Sequence, residues 1–355
     1  MFPQSKITIS AAASTYLDIL RALSAQLVVF GHAMVFSKVY LFERMPFPPV
    51  ESIAVVVFFI LSGFLISVSV INQKYKNESY SFYEFFVARF ARIFVVLIPA
   101  LVFVAVVDFT IISFDYDYNY NYSFNFKTAF SNLFMLQKNP ISQTAMFGSA
   151  STWWSLSIEW WLYLFFGWFV LSFSKSINFW LVALLLGVFP LYYSVTGHGA
   201  GLPLVWFASA LSVYFISADT KLNRLVGVAI VCGVLACIRF SSSNDAFDLV
   251  ACVLLLVTFF CTFKLLNRVD SVPNVSFSRA VKFLAGYSYT LYLIHFTVME
   301  ALNSIYGQGH YFWGAIILSN LVALLFAYFT EMNLARIKIF IKKIYLRVQD
   351  GFSYR

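Results

Sequence analysis

Charge is scarce in this chain. Lys, Arg, Asp and Glu make up 11% of its 355 residues, against roughly a quarter in soluble domains, and no polar stretch is long enough to form a second, water-soluble domain. Cysteine is sparse too. Cys232, Cys237, Cys252 and Cys261 lie inside apolar runs with no CxxC pair, so neither a disulfide framework nor a metal site is indicated, and packing as small apolar groups is the expectation. The basic residues form no dense patch and no amphipathic stripe, so the net charge of +8 does not call for a nucleic-acid partner. No internal repeat stands out. The first apolar run lacks a convincing small-residue cleavage site and is expected to stay as a span.

Apolar residues supply what is missing: 61% of the chain is hydrophobic, 20% aromatic, and the mean hydropathy is +0.80. Runs of roughly 17–25 apolar residues predict an all-α polytopic membrane protein of about ten spans: 16–36, 52–71, 92–112, 153–173, 178–195, 202–217, 225–240, 247–266, 283–305 and 312–330. Residues 1–355 read as one membrane domain, with spans over about 16–335 and a basic tail over 336–355. With the N-terminus inside, eighteen Lys and Arg fall in inner segments and five in outer ones, a bias that places both termini in the cytoplasm and explains the basic charge.

The organising stretch is YLDILRALSAQLVVFGHAMVF, Tyr16 to Phe36. At ~100° and ~1.5 Å per residue, the eleven-residue step from Arg21 to His32 is about three turns, placing both on one helix face roughly 16 Å apart. Asp18 is one turn before Arg21. A span with such a stripe should turn it to the protein interior or a wet cavity, although Asp18 and Arg21 are near enough to its start to snorkel. The stripe is expected to border one passage running through the membrane.

Other polar residues sit in apolar surroundings. FFILSGFL (58–65) holds Ser62 and Gly63, a pair suited to close helix packing. Arg89 and Arg92 are three apart at the inner end of the third span, with guanidinium forks that suit phosphate as well as they suit anionic lipid. Glu159 lies among Trp153, Trp154, Trp160 and Trp161, and His295 lies deep in the ninth run. His198 and His310 fall in outer loops without a signal. In the outer segment DYDYNYNYSFNF (115–126) an extended chain has one aromatic and one polar face, for a membrane-surface belt or a sugar platform, and 127–137 has the spacing of a short interfacial helix.

Taken together, these residues resemble membrane-bound acyltransferase family 3, whose bacterial members O-acylate glycans. The resemblance rests on Arg21 and His32 in LDILRALSAQLVVFGH, on FFILSGFL, on Arg89, Arg92 and Pro99, on WSLSIEWWLY (154–163), and on YSYTLYLIH ending at His295, in that order. Ala22 stands where the family commonly has glycine. The resemblance implies a stand-alone enzyme of a bacterial inner membrane, with no tightly bound cofactor. Its donor would be cytoplasmic acyl-CoA, with acetyl-CoA expected, and its acceptor a glycan or lipid-linked glycan hydroxyl outside. His32 is then the expected base or transient acyl acceptor, with Arg21 holding the donor or stabilising charge and Asp18 fixing Arg21. Arg89 and Arg92 would hold CoA phosphates. Glu159 and His295 would shape the acceptor side, and Trp153, Trp154 and Ser62 would bind substrate. The alternative from the residues alone is a transporter with a charged intramembrane pathway.

Overall fold

The structure, a computed structural model, describes residues 6–39, 50–243, 245–269, 273–307, 309 and 311–337. Arg44, His310 and most of the basic tail lie outside them. Among the described residues there are twelve α-helices and no strand: α1 Ala11–Phe36, α2 Val50–Lys76, α3 Phe82–Ser113, α4 Phe126–Leu133, α5 Trp154–Leu171, α6 Ile177–Val195, α7 Leu202–Ser212, α8 Leu222–Ser242, α9 Leu249–Leu266, α10 Val275–Ala285, α11 Ser288–Tyr306 and α12 Phe312–Phe329. Each of the ten expected spans coincides with one helix. Eight are long and apolar enough to cross a bilayer, and the chain is a multi-pass membrane protein. The two remaining spans differ for separate reasons. The α7 helix is short, with a 3-10 turn at Val213–Phe215, while α11 carries polar side chains that are buried among its neighbours.

The central helix is α1, which packs against α2, α9, α10, α11 and α12. Its start is fixed by Ser10, whose Oγ accepts from the Ala13 N–H at 3.2 Å and donates to the Leu266 carbonyl at 2.9 Å. One residue thus caps α1 and ties it to the end of α9. In mid-helix, Gln26 Nε2 donates to Asn320 Oδ1 at 2.7 Å and Asn320 Nδ2 donates back at 3.1 Å, a reciprocal amide pair that clamps α1 to α12 where water is scarce. The α2–α7 contact depends on Gly63. A Cβ there would come 2.3 Å from the Trp206 carbonyl oxygen, so only glycine lets the two backbones approach.

The structure departs from the sequence reading at the starts of two helices and in one loop. The third span begins at Phe82 rather than near 92, because Ser81 and Glu84 form a capping box that starts the helix ahead of the apolar run. At 32 residues it is about 48 Å long, more than the ~30 Å hydrocarbon core, so Arg89 and Arg92 lie within a helix and not at its mouth. The ninth span begins at Ser288 rather than 283, since Phe283 belongs to α10. That helix is amphipathic: Arg279 and Lys282 are exposed, Val281 and Ala285 buried. Nor is the 115–126 segment extended. Tyr118 is 8% exposed and Tyr122 73%, although four residues apart they would share one face of a strand; Asp115 at φ 57° and a 3-10 turn at Asn121–Ser123 break the alternation. The short helix expected over 127–137 does form, as α4, with Phe126, Phe130 and Phe134 exposed.

Candidate active site

In the half of the bundle that carries the Lys and Arg excess, a cavity of about 120 Å³ is lined by Arg21 of α1, Ser62 of α2, Arg89 and Arg92 of α3 and Glu159 of α5. Arg21 Nη1 is 3.4 Å from Asp18 Oδ1, one turn earlier. Among the described residues no carboxylate comes within 4.0 Å of Arg89 or Arg92, and the Nε of Arg89 is buried without a partner. Guanidinium groups without a direct ion pair beside a cavity suit an anionic ligand with several oxygens. The one carboxylate there is already occupied: Glu159 Oε1 accepts from Ser62 Oγ at 2.6 Å and from the Tyr163 hydroxyl. Since Trp206 Nε1 also donates to Ser62 Oγ at 3.0 Å, Ser62 is held as a relay between α5 and α7.

Toward the other side, His32 Nδ1 is 3.0 Å from His295 Nε2, and His295 Nδ1 is 2.9 Å from the Leu291 carbonyl oxygen. A carbonyl can only accept, so His295 Nδ1 carries a proton. With both rings neutral its Nε2 is then an acceptor, and His32 Nδ1 must donate to it. The proton order leaves the lone pair of His32 on Nε2. His32 lines a second, outer cavity of about 470 Å³ together with Glu51, Lys138, Trp154, His198 and Phe247. The last three are an aromatic cluster, with Trp154 4.6 Å from His198 and 5.7 Å from Phe247, centroid to centroid. Burial holds His198 below the ordinary histidine range, against an opposing pull from Asp245.

The helix stripe gave the expectation that Arg21 and His32 border one passage. They line two cavities that share Val55 and Tyr292 as a common wall. Tyr292 is pinned there, its hydroxyl donating to the Thr152 carbonyl at 2.9 Å and lying 2.6 Å from Ser155 Oγ, with its ring edge-on to Phe58.

Residues 14–332 match a family model described as an acyltransferase domain. The chain belongs to acyltransferase family 3. No curated protein and no solved structure matches it.

Within this acyltransferase the expected site residues separate by side. Arg21, Arg89, Arg92, Ser62 and Glu159 gather at the inner cavity, so Glu159 is on the opposite side from the acceptor role expected of it, and Ser62, expected to bind substrate, lies beside it. His32 and Trp154 are at the outer cavity. His295 lines neither and touches His32; Asp18 touches Arg21. Trp153 is a core residue. It is wholly buried, its indole N–H donates to the Leu293 carbonyl at 2.9 Å, and it lines neither cavity, unlike its neighbour, because consecutive residues here diverge in direction around the turn into α5.

Several lining residues carry no sequence signal. Glu51 looks like an ordinary interfacial acid at the start of α2, yet its carboxylate lies directly on α1: a Cβ added at Gly31 would meet Glu51 Oε2 at 2.1 Å. Glycine immediately before His32 is what admits that carboxylate to the outer cavity. Tyr163 and Tyr292 are hidden among 21 tyrosines. The position of the outer loop depends on Asp108, wholly buried in α3, which accepts from the Ser149 N–H at 2.8 Å and from Ser149 Oγ at 2.7 Å.

Proposed function

We propose that this acyltransferase moves a short acyl group, acetyl in the first instance, from acyl-CoA in the cytoplasm to a hydroxyl of a surface or exported glycan, and that it works in a bacterial inner membrane. The single observation that carries this reading is the ordered imidazole pair at the outer cavity, back to back with an inner cavity walled by three guanidinium groups. Arg89 and Arg92 supply forks for the CoA phosphates, and Arg21, oriented by Asp18, adds the third positive charge. The acceptor sugar occupies the outer cavity against Trp154, with Glu51 accepting from a neighbouring hydroxyl.

In the reaction His32 Nε2 removes the proton of the acceptor hydroxyl, and the oxygen attacks the thioester carbonyl. The tetrahedral oxyanion collapses, the C–S bond breaks, and the proton held on His32 passes to the departing thiolate, giving the ester and free CoA thiol. His295 holds the tautomer that this sequence needs.

The test supplies radiolabelled acetyl-CoA to membranes containing the protein or its His32→Ala variant and identifies the labelled product. Label in glycan that disappears with His32→Ala supports the reading. Label in lipid alone redirects it to a lipid acceptor. Solute uptake by purified protein in liposomes, without acyl-CoA and without labelled product, replaces it with transport.

A further inference from the structure

The inner cavity holds one polar group that neither the fold nor the proposed chemistry uses. The hydroxyl of Tyr289, in the first turn of α11, is shut away from the exterior and has no hydrogen-bond partner among the described residues, and the side chain lines the cavity shared by Arg21, Arg89 and Arg92. Its surroundings show how unusual that is. Tyr163 and Tyr292, in the same wall, both have their hydroxyls engaged. An unpaired buried hydroxyl costs free energy that a phenylalanine in the same space would not, so its natural partner is something that enters the cavity.

We infer that Tyr289 is a donor-binding residue, whose hydroxyl donates to an amide carbonyl of the pantetheine arm of the acyl-CoA. This rests on the acyl-CoA reading above. The position along α11 selects that part of the ligand. Tyr289 is six residues before His295, about 9 Å inward along the axis, so it meets the donor well short of the reacting thioester. The guanidinium groups already suit the phosphates, and a phenol is a poor rival for phosphate beside three of them. What remains between phosphate and thioester is a chain of methylenes interrupted by two amides, which asks for one neutral donor among apolar walls. Phe59, Leu65 and Ile93 supply those walls.

The experiment compares wild type with Tyr289→Phe and Arg92→Gln in detergent, measuring binding of acetyl-CoA and of acetyl-pantetheine, which lacks the nucleotide and phosphates. Tyr289→Phe is expected to weaken both ligands by about tenfold, the loss of one hydrogen bond, while its thermal midpoint stays level or rises. Arg92→Gln should weaken acetyl-CoA alone. Tyr289→Phe that binds both ligands like wild type overturns the inference, as does a fall of its thermal midpoint, which would mean that the hydroxyl serves the fold. Wild-type protein that binds neither ligand overturns the acyl-CoA reading itself, a result distinct from either.

Discussion

His295 offers the sharpest test of the imidazole pair, because it is wholly buried and lines neither cavity. In His295→Leu the side-chain volume is nearly kept, but His32 Nδ1 loses the acceptor now 3.0 Å away. An N–H left unpaired in the protein interior costs about 1–3 kcal/mol. The ring escapes part of that cost by moving its proton to Nε2, which removes the lone pair needed for base catalysis. Either way the loss falls on turnover, by about fivefold to 150-fold, and donor affinity is unchanged because the inner cavity is untouched. His32→Ala, which removes the base, should cost about 10²–10⁴ in rate. The decisive measurement is the double variant. If His295 acts only through His32, His295→Leu in the His32→Ala background lowers label transfer from acetyl-CoA no further, within the ~0.5 kcal/mol scatter of independent effects. Losses that multiply, with thermal midpoints held equal, would falsify the relay and give His295 a role of its own.

Other expectations follow from the same geometry. Gly31→Ala pushes the Glu51 carboxylate away from α1, since the new Cβ would be 2.1 Å from Oε2; transfer at limiting acceptor should fall about tenfold or more with acetyl-CoA binding retained, and unchanged acceptor dependence would remove Glu51 from the site. Val55→Phe thickens the wall between the cavities and should reduce transfer on the order of a hundredfold by misplacing the reacting groups, while an equilibrium CoA-binding assay reads close to wild type. Asp248 is held below the usual carboxylate range by the hydrogen bonds it accepts from Arg239, with burial opposing. A depressed carboxylate contributes stability above its unfolded value, and that stability drains as pH falls through the folded one. The thermal midpoint in detergent should therefore drop as pH is lowered below about 4, and Asp248→Asn should flatten that drop while leaving transfer activity intact.

Much of this arrangement was legible because a membrane makes polarity conspicuous. Arg21, His32, Glu159 and His295 each interrupt an apolar run; three of them line a cavity and the fourth, His295, touches His32. What the pattern could not convey is which elements meet. The contact of His32 with His295 joins residues 263 apart through the packing of α1 on α11, and no local periodicity encodes it. The two cavities were invisible for the same reason: a stripe on α1 fixes the direction of its side chains but not where Val55 of α2 and Tyr292 of α11 come to line both. Glu51 escaped notice because an acid at the end of an apolar run is ordinary, and only the glycine opposite reveals its place. The aromatic alternation of 115–126 misled, since period two describes a strand only when a partner strand exists to hold it extended.

Val55 and Tyr292 are also where the two cavities come closest to each other, since both chambers touch these two side chains. On the proposed function, whatever passes from one chamber to the other passes these two side chains, so their rotamers set the size of the group that can cross.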